Sequence, residues 1–113
     1  MKEPAKNFFI GIFTFSFDIL LFFLFWKNNI LLTALLLILS FVLLAFLTSR
    51  EEKIFYFTGF FLGPVYDLLL VPAGVWSYGN PTILNVPLWL APAYGISIVA
   101  IYKIGKAASK FFE

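Results

Sequence analysis

The chain contains no cysteine and no histidine, and only 12% of its 113 residues are charged. Without cysteine there is no disulfide, no thiolate nucleophile and no iron–sulfur or zinc site of the Cys/His kind. Without histidine the usual general base is missing, and with it every Ser/His or Cys/His dyad. No metal and no cofactor is therefore expected. The eight Lys and Arg residues form no stripe suited to nucleic acid, so none is expected as a partner.

What the chain has in quantity is apolar surface: 62% of residues are hydrophobic and 16 are Phe. A chain this short makes one domain, and a soluble domain of that size cannot bury so much apolar surface. A bilayer is the solvent in which this composition makes sense. The expected fold class is all-α: a polytopic membrane protein, an up-down bundle of four transmembrane helices, with one membrane domain over residues 1–113 and no soluble domain.

The four apolar runs cover about 8–26, 30–47, 54–72 and 86–104. The first, 19 residues, spans about 28 Å at 1.5 Å per residue, close to the ~30 Å of a hydrocarbon core. A signal peptide fits it poorly, because the run is too long for an h-region and no small-x-small cleavage site follows. The second run is polar only at Thr33 and Ser40 and reads as a lipid-facing wall. Between them lies the turn Lys27-Asn28-Asn29. Residues 48–53 read as a polar turn in water, 106–113 as a basic tail. Seven of the eight Lys and Arg residues fall at the N-terminus, in the second loop or near the C-terminus, and Lys27 stands alone opposite. The positive-inside rule then expects a multi-pass protein of the cell membrane with both termini cytoplasmic.

Two acids interrupt the apolar runs, Asp18 and Asp67. Mid-membrane, each costs ~2.5–3.5 kcal/mol on insertion scales. Counted from the cytoplasmic edges of their helices they lie at about 15 and 20 Å, roughly one helical turn apart. No Lys, Arg or His shares that depth, and Lys103 sits where it can snorkel. Protonated acids that glue helices through a hydroxyl or a freed carbonyl are one reading. A site for a proton, a cation or a ligand is the other.

The small residues mark faces. Gly59, Gly63 and Asp67 are spaced by four, and Gly11, Thr14 and Asp18 by three and four. Each set shares one helix face, and Gly-x-x-x-Gly permits close approach of another helix. A direct pairing of helices one and three along these faces is expected. Pro64 and Pro92 free the carbonyls of Phe60 and Leu88, which need new partners inside a membrane. Residues 73–85 carry no charge and contain Trp76, Tyr78 and the turn signal Gly79-Asn80-Pro81. They read either as a hairpin folded back over the bundle, partly re-entrant, or as an aromatic anchor.

Asp67, the segment Gly74-Val75-Trp76-Ser77-Tyr78 and the later Pro87-Leu88 resemble the lycopene cyclase domain of carotenoid pathways. The resemblance covers about a quarter of the chain and implies a small helical membrane unit in which Asp67, Trp76 and Tyr78 line a pocket for an isoprenoid end group. The chain departs from that family after Pro-Leu, where Trp89-Leu90 stands in place of paired glutamates. Pro87-Leu88-Trp89-Leu90 also resembles the last helix of uncharacterised small four-helix integral membrane proteins.

Together these features favour a non-catalytic bundle that binds an apolar ligand, an isoprenoid among them, or a partner helix. A cyclase-type enzyme and a small proton-coupled transporter are the alternatives. So thin a bundle also favours a homo-oligomer or a larger membrane partner. The candidate lining is Asp67, Asp18, Tyr66, Trp76, Tyr78, Trp89 and Tyr94, with Gly59, Gly63 and Gly11 as helix-packing positions.

Overall fold

The computed structural model describes residues 3–74, 87 and 89–112. These form four helices: α1 (Glu3–Phe25), α2 (Asn29–Val42), α3 (Arg50–Leu70) and α4 (Leu90–Phe111). A π-helical turn, Leu43–Leu47, prolongs α2. No strand occurs among the described residues.

The helix boundaries follow local chemistry more closely than the apolar runs do. α1 is already helical at Glu3, before the apolar run, and this acid in the first turn suits the positive end of the helix dipole. The Asn28 side chain caps α2 by accepting the Leu31 N–H at 3.1 Å. At the far end of α2 the Thr48 hydroxyl donates to the Leu43 carbonyl at 3.0 Å, closing the widened turn with a side chain. α3 starts at Arg50, four residues before its apolar run, because Ser49 and Glu52 form a reciprocal capping box. Residues 50–53 are thus helix, not a turn in water. Past α3 the chain turns over Val71–Gly74, with Gly74 at φ 85°, a value that glycine adopts without a Cβ penalty.

α4 departs furthest from expectation. It runs from Leu90 to Phe111, so the expected tail is mostly helix. Pro92 lies in its first turn, where a missing N–H breaks no interior hydrogen bond. The expected cost of Pro92 to the helix is therefore absent. Leu88 lies outside the described residues.

α4 is the hub of the bundle. It runs antiparallel to α1, with Phe111 beside Phe8 at one end and Trp89 against Phe22 at the other. On its other side it packs along α3, and α2 touches both α4 and α1. Nine α4 residues are buried, against four each in α1 and α3 and three in α2. The direct pairing of α1 with α3 is corrected: each glycine face meets α4. A Cβ on Gly11 would lie 2.8 Å from Ile104, and one on Gly59 2.8 Å from Ile98. Gly63 receives the Tyr94 ring. The spacing rule identified the packing faces, while their partner is a helix whose own small residues, Ala93, Gly95 and Ala100, let two neighbours approach.

The main core joins Leu21, Leu32, Leu36, Leu43, Tyr56, Ala93, Ile96 and Val99. Along α2, Leu32, Leu36, Ser40 and Leu43 turn inward, so this helix is a wall with one buried stripe. α1, residues Asn29–Leu47 and α3 are long and apolar enough to cross a membrane. α4, which carries Lys103, Lys106 and Lys110, is the most enclosed of the four.

Candidate functional site: two acids seated on one helix

Asp18 and Asp67 are both interior, 4% and 0% exposed. Their helices bring them to the same stretch of α4. The Ser97 hydroxyl donates to Asp18 Oδ2 at 3.3 Å. The Tyr94 hydroxyl is hydrogen-bonded to the Asp67 carboxylate. Ser97 and Tyr94 are three residues apart, so the two seats differ in height by about 4.5 Å. This agrees with the one-turn offset expected from the spacing along α1 and α3. Asp67 occupies the last turn of α3, where its own carbonyl accepts the Val71 N–H at 2.9 Å. Both acids therefore lie in the half of the bundle away from the termini.

The surroundings are apolar. Val71 and Leu90 form a small buried cluster with Leu68, Trp89 and Tyr94 packed against it, beside Asp67. Trp89 also meets Phe22 edge-on at 4.7 Å, linking this cluster to α1. Asp18 Oδ1 is buried and has no hydrogen-bond partner among the described residues. An open acceptor in such a setting is costly unless something satisfies it.

Of the expected lining, Asp18, Asp67, Tyr94 and Trp89 converge. Tyr66 is 58% exposed, and it stands at the rim, within electrostatic reach of Tyr94. Trp76 and Tyr78 lie outside the described residues, as does most of the expected hairpin over 73–85. No group of three or more acids that could hold a metal ion occurs among the described residues.

A second polar cluster at the opposite end escaped the reading of the apolar runs. Lys103 does not snorkel. It is 2% exposed and forms an ion pair with Glu52 at 3.0 Å. Its Nζ also donates to Asn7 Oδ1 at 3.4 Å. Glu52 Oε1 in turn accepts the Ser49 N–H at 2.8 Å. Asn7 of α1, Ser49 and Glu52 at the start of α3, and Lys103 of α4 are thus joined in one network. The Ser49-Arg50-Glu51-Glu52 sequence is a legible capping signal, and it could have placed Glu52 in the helix.

A third polar link ties α2 to α3. The Tyr56 hydroxyl donates to Ser40 Oγ at 2.6 Å, and Ser40 donates back to the Leu36 carbonyl at 2.8 Å. Nothing in the spacing of Ser40 marked it as a contact.

The chain matches no protein-family model, no curated protein sequence and no solved structure.

Proposed function

We propose that this is an integral protein of the cell membrane with four spanning helices and both termini cytoplasmic, whose bundle holds an apolar ligand or a partner helix at its two buried carboxyls. The observation that carries this reading is the seating of Asp18 and Asp67 on adjacent hydroxyls of α4, inside an apolar wall, with an acceptor of Asp18 left open. A hydroxyl or amide donor borne by an otherwise apolar partner would satisfy that acceptor.

The membrane setting has separate support. Large apolar side chains line the outside, Phe13, Phe23, Ile30, Phe41 and Phe61 among them, whereas Asp18, Ser40, Asp67 and Lys103 are inside. That partition is the inverse of a soluble protein's. The long axis of 43 Å matches the ~40–45 Å of a bilayer with its headgroups. Enclosure by the other three helices lets α4 span with Lys103, Lys106 and Lys110 toward its C-terminal end.

The test uses the full chain, purified in mild detergent, with Asp18→Asn and Asp67→Asn compared to wild type. The expected result is that each variant keeps its helical circular dichroism but loses a co-purifying apolar molecule by mass spectrometry, or changes its oligomeric state by native mass spectrometry. Two variants with unchanged oligomer, bound molecules and thermal stability would falsify the reading. An isoprenoid is the ligand suggested by the cyclase-like segment, and its mass in the co-purified fraction would identify it.

A further inference from the structure

The end of the bundle that holds both termini has a cleft of about 230 Å³. It is lined by Lys6, Lys103, Lys106, Glu3 and Glu52, with Asn7 and Ser49 at its polar wall. Lys103 and Glu52 neutralise one another. That leaves Lys6 and Lys106 facing Glu3, and among the described residues neither lysine pairs with a carboxylate. Lys106 lies over the Tyr102 ring, 5.8 Å from its centroid, which leaves its ammonium open on the other side. The cleft is therefore net positive.

The other wall of the cleft is apolar: Ile10, Phe46 and Leu47. Ile10 and Leu47 also border a second groove, which runs along α1 past Phe13. Phe13 in turn borders a third, between α1 and α2, that ends at Leu21 and Leu35. The three make one track, polar at the terminal end and apolar beyond it. From Ile10 to Leu21 the track follows α1 for about 16 Å, close to half of a ~30 Å hydrocarbon core.

We infer that this track holds an anionic phospholipid of the leaflet on the terminal side, its phosphate between Lys6 and Lys106 and one acyl chain laid along the α1–α2 groove. Charge complementarity selects the headgroup, because a neutral zwitterion gains less from two lysines than a net anion does. The buried Glu52–Lys103 pair fixes the cleft wall by tying α1, α3 and α4 together. Residue Glu3 opposes the headgroup and sets an upper limit on its charge. The inference rests on the membrane reading above, but not on the acid site, which lies at the other end of the bundle.

The test is wild-type protein in detergent micelles mixed with either phosphatidylglycerol or phosphatidylcholine, with thermal unfolding and native mass spectrometry as readouts. Phosphatidylglycerol is expected to bind and stabilise in preference. Lys6→Gln and Lys106→Gln are each expected to weaken that preference about fivefold, with the melting temperature in lipid-free micelles unchanged. Glu3→Gln is expected to strengthen it. Val42→Trp, which fills the groove, is expected to weaken binding of both lipids without changing the preference. Equal binding of the two lipids by the wild type, or a preference that survives loss of both lysines, would overturn the inference and leave the membrane reading intact. Recovery of the expressed chain in the soluble rather than the carbonate-washed membrane fraction would overturn both.

Discussion

The two ends of this bundle bury polar groups in opposite ways. At the terminal end a base meets an acid, and the acid is also held by a backbone N–H and the base by an amide. At the far end two acids rest on hydroxyls of α4, with no base beside them among the described residues and one acceptor of Asp18 open there. A closed network of this kind fixes geometry, since each member satisfies another. An open one pays for burial without completing it, and is where a second molecule has something to supply. The contrast locates structure at one end and the candidate site at the other, even though both involve α4.

The largest expected effect comes from opening the closed end. Lys103→Met strands Glu52 as a buried, unpaired charge and should destabilise the protein by ~3–5 kcal/mol. The double variant Lys103→Met/Glu52→Gln should recover most of that loss. Reversible unfolding in detergent would measure both. A single variant within about 1 kcal/mol of wild type would show that the network is not closed in the sense described.

The glycine faces were legible from spacing alone, as was the height of the two acids. What spacing did not reveal is the partner. Gly11 and Gly59 carry the same pattern of close approach, and nothing in a one-dimensional reading distinguishes two helices that touch each other from two that touch a third. α4 escaped recognition as the hub because the glycine faces of its two neighbours do not name the helix they meet. Glu52 and Lys103 escaped for a related reason: a charge near a helix end reads as wet, and only the arrival of a partner from another helix makes it dry. Ser97, which seats Asp18, has no signal of its own at all.

An intermediate effect is expected at the open end. Gly63→Ala pushes a methyl group into the Tyr94 ring and should displace Tyr94 from Asp67. The overpacking should cost ~1–3 kcal/mol. Gly105→Ala is the control, because a Cβ there meets nothing within 4 Å. It should be neutral or slightly stabilising through helix propensity, by up to ~1 kcal/mol. If the two variants unfold alike, the fit of Tyr94 against α3 is looser than described.

The smallest effect belongs to the link between α2 and α3. Tyr56→Phe removes the hydroxyl that donates to Ser40, while Ser40 keeps its bond to the Leu36 carbonyl. A loss of ~0.5–1.5 kcal/mol is expected, with no change in bound lipid or ligand. A change in either would mean that α2 and α3 transmit strain between regions that the comparison treats as separate.

The position of α4 in the chain has a consequence for biogenesis. It follows the other three helices in the chain, and it supplies partners to Asp18, Asp67 and Glu52. Until it is synthesised, the first three helices can form but cannot be mated through it, and each of these acids waits for its α4 companion. Completion of the bundle is therefore a late event governed by one segment, and a nascent chain halted before residue 90 would lack the α4 partners of all three carboxylates.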